Sequence, residues 1–191
     1  MTQTSQNPVP TRERIQKTAI ELFSENGYER TSLREIAEHL GLTKAALYYH
    51  FKTKEDIAAS FFDSYAKDVD VICDWGDRQP RDLETRRELL RRYAEVVQSH
   101  VPVMRFMQHN QAALTRLDRG SVFQNRLDRL RDLLVDQDEP LTNRLRAWDA
   151  LTTLYSGLVT WRGRQKTDTD QQMREAALEI SMSLIDANSR A

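Results

Sequence analysis

The chain has 191 residues, of which 28 are Lys or Arg, 29 are Asp or Glu, and 39% are hydrophobic. It contains only 6 Gly and 5 Pro, about half of their usual combined share of roughly 12%, so the frequent tight turns of a β-sandwich or barrel are hard to supply. A single thiol, Cys73, cannot form an internal disulfide or a cysteine metal cage, which fits a reducing compartment. The composition favours a folded, all-helical protein.

Hydropathy and charge limit the cellular location and the binding partners that the sequence predicts. No stretch of about 18 residues is free of charge, and the polar start MTQTSQNPVP lacks the features of a signal peptide, so we expect a cytoplasmic protein with no membrane contact. The formal net charge of -1 is low for a nucleic-acid binder. From His39 to Lys54, however, the chain has no Asp or Glu and carries three lysines, which would allow a local cationic face.

The first predicted helices follow a short arm. Residues 1–10 contain two prolines and no periodic pattern, and we expect them to be mobile. Apolar residues at helical spacing predict a first helix that begins near Thr11 and ends at Gly27. Ser32 and Glu35 form a capping box at the start of a second helix of about two turns, and Gly41 ends that helix.

The second and third helices have the layout of a helix-turn-helix. Thr43 caps the third helix, KAALYYHF, in which Leu47 and Phe51 must face inward to pack on the second helix. The opposite face carries Lys44, Ala45, Tyr48 and Tyr49. Exposed tyrosines beside a lysine are unfavourable as plain surface, but they suit DNA, since hydroxyls bind phosphate and rings contact thymine methyls. Packing beneath the first helix would equally explain Tyr48.

Longer helices are predicted over the rest of the chain. Thr53 and Asp56 open the fourth helix, and Pro102 stands in the first turn of the sixth. The fifth helix spans about 83–97, the seventh about 123–134, the eighth about 141–161 and the last about 171–188.

The last two helices are apolar on more than one side. They also carry small residues that would allow close approach of another helix: Ala150, Gly157, Ala176 and Ser181. This pattern suggests that both helices pair with their copies in a second chain, which predicts a homodimer. A larger monomeric core that buries both faces is the alternative.

Three motifs within residues 11–60 occur together. They are the Phe23 and Gly27 that close the first helix, the segment TSLREIAEHLGL, and above all LYYHFKTKEDI. In these motifs the sequence resembles the N-terminal domain of the TetR family of transcriptional repressors, over about a quarter of the chain. The resemblance implies an all-α fold with a flexible arm over 1–10, a three-helix helix-turn-helix DNA-binding domain over 11–56, and a helical effector-binding and dimerisation domain over 57–191.

The resemblance also implies the partners and the DNA contacts. In this family the third helix enters the major groove of a palindromic operator as part of a dimer, and a small effector releases the DNA. Carried over to this sequence, the residues facing bases would be Lys44, Ala45 and Tyr49, those holding phosphates would be Thr43, Tyr48, His50 and Lys54, and Arg34 would reach the backbone or a base edge. Family members often have glycine where this chain has Ala45, a departure that should alter base preference rather than fold.

An effector site would lie among the fourth to eighth helices, because a ligand pocket needs apolar residues with a few polar groups. The candidates are Phe62, Tyr65, Tyr93, Met104, Met107, His109, Trp148 and Tyr155. Packing in the core is the alternative for each of them. The sequence does not indicate the chemistry of the effector.

Enzyme motifs are missing from the chain. It has no GxGxxG after a strand, no P-loop, no HExxH and no GxSxG, and its histidines are too scattered for a helical metal pair. We therefore expect no cofactor, no metal and no catalytic site. The prediction is a ligand-responsive DNA-binding regulator. The alternatives are a helical enzyme or small-molecule carrier with a vestigial helix-turn-helix, and a protein–protein adaptor that uses the apolar final helices.

Overall fold

A computed structural model describes residues 10–110, 120–160 and 169–187. Within these ranges the regular structure is helical and contains no strand, so the predicted all-α class is confirmed. The α-helices are α1 (Thr11–Asn26), α2 (Leu33–His39), α3 (Lys44–His50), α4 (Lys54–Gly76), α5 (Leu83–Ser99), α6 (Val101–His109), α7 (Gly120–Leu134), α8 (Leu141–Tyr155) and α9 (Asp170–Asp186). None of the helices described is both long and apolar enough to cross a membrane. Residues 1–9, Trp161 and Asn188, which the sequence assigned to the arm and the last two helices, lie outside the described residues.

The ends of α1 and α2 form where the sequence predicted them. Gly27 follows α1 with a φ of 89°, and Gly41 follows α2 with a φ of 65°, a backbone region that favours glycine. In the capping box of α2, Ser32 Oγ accepts from the Glu35 N–H at 3.2 Å, and Glu35 Oε2 accepts from the Ser32 N–H at 2.6 Å. Both predictions are confirmed.

Packing within the described part of the chain divides it into two units. The first comprises residues 10–61 and 106–110, and the second comprises 62–105, 120–160 and 169–187. The first unit contains the helix-turn-helix and an aromatic cluster in which Phe106 stacks on Phe23 at 5.4 Å between ring centroids. Tyr28 and Phe61 complete this cluster. Through this cluster Phe23 of α1 packs on Phe61 and Phe106.

The second unit is built around the packing of α9 against α8 and α5. Ser181 Oγ donates to the Ala150 carbonyl at 2.9 Å, and a Cβ built on Gly157 would lie 2.8 Å from the Ala177 Cβ. Gly157 belongs to a π-helical turn, Ser156–Thr160, that continues α8. The interpretation of Ala150, Gly157 and Ser181 as surface for a second chain is therefore wrong, because these residues bring α8 and α9 of the same chain together. Ala176 is exposed.

Candidate nucleic-acid interface

Helix α3 is short and is held in place by its ends and by one apolar side. It has 7 residues, too few to be stable alone in water. Thr43 Oγ1 accepts from the Ala46 N–H at 3.1 Å at the N-terminus. Leu47 is 0% exposed and Phe51 is 2% exposed, so both face inward as predicted. Tertiary packing therefore determines where the outer face of α3 points.

The outer face of α3 is open to solvent. Lys44 and Ala45 are exposed, and the Tyr49 side chain is 81% exposed. Tyr48 is half-buried, with Lys44 Nζ 5.4 Å from its ring centroid. A half-buried ring with an accessible edge agrees with both explanations given for Tyr48. The orientation of these side chains follows the predicted periodicity, while their contacts with DNA stay a prediction.

Thr43 and His50 stand at the two ends of this face. Thr43 is exposed, although its hydroxyl oxygen already caps the helix. The His50 ring is half-buried and meets the Tyr49 ring edge-on, with 5.2 Å between centroids. Both residues therefore lie at the ends of the exposed outer face, and their contacts with phosphate stay a prediction.

The predicted phosphate ligand Lys54 has partners inside the chain. Its Nζ donates to the carbonyl oxygens of Tyr28 at 2.7 Å and Glu29 at 3.2 Å, and it lies 4.7 Å from the centroid of the Tyr28 ring. The ammonium thus ties the start of α4 to the segment between α1 and α2. Its positive charge remains near the surface, because Lys54 is only half-buried.

Arg34 is also engaged, but more weakly. Its Nε donates to Glu38 Oε1 at 2.7 Å, one turn further along α2, and both side chains are largely exposed. Exposed ion pairs of this kind contribute little stability, because water screens both charges. The Arg34 side chain is therefore available to exchange its carboxylate for another anion at small cost.

Two further cations near α3 were not among the sequence candidates. Lys52 Nζ donates to the Tyr48 carbonyl at 2.6 Å, and Arg12 Nη1 donates to the His50 carbonyl at 3.2 Å. Lys52 could have been suspected, since it lies in the stretch without acids. Arg12 could not, because 38 residues separate it from its partner and no local pattern links them.

The candidate effector residues fall in both units. Tyr65, Tyr93 and Met104 are buried in the second unit, where Tyr65 donates to the Tyr93 hydroxyl at 3.2 Å. Burial raises the pKa of Tyr93 to about 12, so its hydroxyl keeps its proton at neutral pH. The second unit also holds the half-buried Phe62, Trp148 and Tyr155, whereas the half-buried Met107 and the exposed His109 belong to the first.

Two depressions open on the surface of the second unit. One, of about 380 Å³, is lined mainly by charged residues of α7, with Asp77 and Arg81. The other, of about 260 Å³, lies where α7 and α8 meet and includes Trp148 together with Leu141 and Leu145. Trp148 is the one effector candidate that lines either of these two depressions.

The N-terminal part of the chain, which contains the helix-turn-helix, is similar in sequence to known proteins. Residues 15–61 match the family described as "Bacterial regulatory proteins, tetR family". The HTH-type transcriptional regulator AcrR of Shigella flexneri is 35% identical over 89 residues, which is 46% of this chain and 41% of that protein. The chain thus aligns with less than half the length of this curated relative.

Solved structures resemble nearly the whole chain. The TetR family transcriptional regulator PfmR from Thermus thermophilus has a TM-score of 0.68 at 24% identity, covering 89% of this chain and 97% of that one. AibR in complex with isovaleryl coenzyme A and operator DNA has a TM-score of 0.64 at 21% identity, covering 88% and 96%. At such identities the likeness concerns fold alone.

The helices and the open face of α3 define an all-α protein with an N-terminal helix-turn-helix domain and a C-terminal helical domain. Residues 15–61 match the model of the tetR family of bacterial regulatory proteins, and the structural neighbours share the fold. The resemblance predicted from the motifs is thereby confirmed.

Proposed function

We propose that the protein is a ligand-responsive transcriptional repressor that binds a palindromic operator as a dimer and is released by a small-molecule effector in the cytoplasm. One observation carries the proposal: α3 presents an aromatic and cationic face to solvent although its other side is fully buried. An exposed tyrosine beside a lysine gains little from water, but it gains hydrogen bonds and apolar contact in a DNA groove.

Within this proposal the side chains of α3 divide into two sets. Lys44, Ala45 and Tyr49 face the bases, because they are the exposed residues of the helix face, and the small Ala45 allows close approach to the groove floor. Phosphates are bound at the edges by Thr43, Tyr48 and His50. Together these contacts set both position and sequence preference.

Arg34 and Lys54 are predicted DNA ligands that hydrogen-bond within the chain, and they contribute differently. Arg34 leaves its exposed partner Glu38 and binds the DNA backbone, a low-cost exchange between two solvated anions. Lys54 keeps its bonds to the carbonyls of Tyr28 and Glu29 and adds long-range attraction for phosphate rather than a direct contact. This proposal therefore replaces the direct phosphate contact that the resemblance implied for Lys54 with attraction at a distance.

Dimerisation supplies the affinity that one protomer lacks. Each protomer offers few phosphate contacts, so both are needed, with recognition helices about 34–36 Å apart on one face of the duplex. An effector that favours a different separation lowers operator affinity by the difference between its affinities for the two arrangements. The candidate contacts for such an effector are the residues already named in the sequence analysis. AibR, a protein of the same fold, has been solved in complex with isovaleryl coenzyme A and operator DNA.

Selection from random double-stranded oligonucleotides tests the proposal directly. The full chain should enrich a palindrome and bind it as two protomers, with affinity that falls steeply as salt rises. A chain that enriches no sequence, or one that binds the selected duplex with undiminished affinity as a single protomer, would overturn the proposal. The first of these results would favour a vestigial helix-turn-helix.

Variants of α3 separate base contacts from phosphate contacts. Tyr49→Ala should change the preferred sequence and cost about 1–3 kcal/mol on the original palindrome. Tyr48→Phe, which removes only a hydroxyl, should weaken all duplexes alike. Val71→Ala, at an exposed apolar position on α4, serves as the control and should leave binding unchanged. Equal losses for Tyr49→Ala on every duplex would contradict the assignment of Tyr49 to the bases.

A further inference from the structure

Arg12 occupies an unusual place for a cation. It lies in the first turn of α1, where unpaired backbone N–H groups already make the helix end partly positive. Pro10 precedes the helix and provides no side-chain cap. A positive charge at this position is unfavourable for α1 itself, and the contacts that Arg12 makes are with another element.

That element is the C-terminal end of α3. Arg12 Nη1 donates to the His50 carbonyl at 3.2 Å, and the guanidinium carbon lies 4.2 Å from the centroid of the Phe51 ring. The last carbonyls of a helix lack partners within it and carry partial negative charge. Phe51 is already extended, with φ −143° and ψ 126°, so α3 stops at the point that Arg12 contacts. One side chain of α1 therefore binds both the final carbonyl and the anchoring ring of α3.

Lys52 binds the same end of α3 but has a different effect. Its Nζ contacts the Tyr48 carbonyl four residues earlier in the chain, so this bond moves with α3. The Arg12 contact instead spans two elements 38 residues apart. Of these two cations, therefore, Arg12 is the one whose hydrogen bond connects α3 to another helix of the first unit, α1.

We propose that Arg12 is a positioning residue for DNA recognition: it holds the C-terminal end of α3 against α1 and so sets the orientation in which Lys44 and Tyr49 meet the bases. The role in recognition rests on the proposed function, whereas the hold on α3 belongs to the free protein. Because α3 has only 7 residues, its orientation is sensitive to a single contact at one end.

The experiment compares three variants of the full chain. Arg12→Gln removes the charge and the stacking, Arg12→Lys keeps a charged donor, and Arg14→Gln removes the same charge from an exposed neighbouring position of α1. Amide hydrogen exchange of residues 46–50 is measured without DNA. Binding is then measured over a range of salt concentrations to the duplex that the unaltered chain selects and to a scrambled duplex of equal length.

The expected result has four parts. Arg12→Gln should speed exchange in α3 about tenfold while the global melting temperature changes little. It should lower the ratio of selected to scrambled affinity about tenfold, because both protomers lose a contact of moderate strength. The logarithm of its DNA affinity should fall with the logarithm of salt concentration as steeply as that of Arg14→Gln. For Arg14→Gln, amide exchange in α3 and the ratio of selected to scrambled affinity should match those of the unaltered chain. Arg12→Lys should restore part of the ratio, because an ammonium can still donate to the carbonyl.

Three results would overturn the proposal, and they differ from one another. Unchanged exchange in α3 would show that Arg12 does not hold the helix. Arg12→Gln could instead lose equal affinity for both duplexes, with a salt dependence of affinity about 2 smaller in log–log slope per dimer than that of Arg14→Gln. That result would show that Arg12 binds phosphate directly. If the unaltered chain selects no duplex, the proposed function is overturned, and the role of Arg12 in DNA recognition is overturned with it. This result does not depend on any of the variants.

Discussion

At the scale of single residues, the first unit depends on hydrogen bonds that close helix ends. Ser32 and Glu35 exchange bonds at the start of α2, and Thr53 and Asp56 do the same before α4, where the Asp56 carboxylate accepts from the Thr53 N–H at 2.9 Å. Each bond pairs a backbone group that the helix itself leaves unpaired. A chain with such short helices needs these caps, since α2 and α3 have few internal bonds of their own.

The capping box gives a pH-dependent contribution to stability. Hydrogen bonds from the backbone N–H and the hydroxyl of Ser32 lower the pKa of Glu35 below its ordinary value of 4.5. A carboxyl whose pKa is depressed in the folded state stabilises above its unfolded pKa, and this contribution is lost as pH falls through the folded pKa. We expect Glu35→Gln to lower Tm slightly at pH 7, and the difference should shrink as pH falls below 4.5.

Thermal unfolding by circular dichroism between pH 3 and pH 7 checks this prediction. Glu25→Gln, which removes an exposed carboxyl near the end of α1, is the matched control for the loss of one negative charge. A difference between Glu35→Gln and the unaltered chain that is equally large at both ends of the pH range would contradict the assigned cause.

At the scale of elements, the contact between α8 and α9 depends on the absence of a side chain. Gly157 lies in the π-helical turn after α8, and a Cβ there would approach the Ala177 Cβ to 2.8 Å. Real Cβ atoms do not come so close, so the two helices would have to separate. The hydrogen bond from Ser181 Oγ to the Ala150 carbonyl spans the same pair of helices, and it requires the same separation between their axes.

Gly157→Ala should therefore destabilise the second unit by about 1–3 kcal/mol through overpacking. Removing the opposing Cβ with Ala177→Gly in the same chain should recover part of this loss, although Ala177→Gly alone costs about 1 kcal/mol because glycine is a poor helix former. Urea unfolding of the single and double variants measures the coupling between the two positions.

Gly41→Ala is the control for this cycle. Nothing lies within 4 Å of a Cβ at Gly41, but the φ of 65° strains any other residue, so this variant should lose about 1 kcal/mol from its backbone alone. Combining it with Ala177→Gly should give additive losses. Additive losses for Gly157→Ala with Ala177→Gly would instead show that the two Cβ atoms do not clash.

At the scale of the whole molecule, the proposed dimer needs an apolar surface that one chain leaves uncovered. Leu145 on α8 is 53% exposed, and Ile180 on α9 is also 53% exposed. Leu141 is exposed on the first turn of α8. Because Ala150, Gly157 and Ser181 pack within the chain, these exposed larger side chains are the apolar groups that α8 and α9 offer to a second copy.

Ile180→Glu should convert the proposed dimer to monomers. A carboxylate at a two-fold interface loses its hydration and faces its own copy, so association should weaken at least about a hundredfold. Sedimentation velocity over a range of protein concentrations measures the change. Val71→Glu, at a position 59% exposed on α4, is the control and should leave the dimer intact. A dimer that survives Ile180→Glu but dissociates with Val71→Glu would place the interface elsewhere.

The sequence by itself determined the helix ends, the inward side of α3 and the resemblance of residues 15–61 to the tetR family. These features depend on local signals: a capping serine, a glycine with positive φ, and apolar residues at helical spacing such as Leu47 and Phe51. Each of these signals acts between residues that are close in the chain, so it can be recognised in the sequence alone. The family motifs are likewise contiguous.

Only the tertiary structure decided which cations bind within the chain, which small residues are buried and what holds α3 in place. Lys54 binds carbonyls 25 and 26 residues away, Arg12 binds one 38 residues away, and Ser181 reaches Ala150 across two helices. Whether a lysine meets solvent or a carbonyl, and whether a glycine faces its own chain or another, depends on how helices distant in sequence are brought together. Long-range packing sets that arrangement, and no short stretch of sequence encodes it.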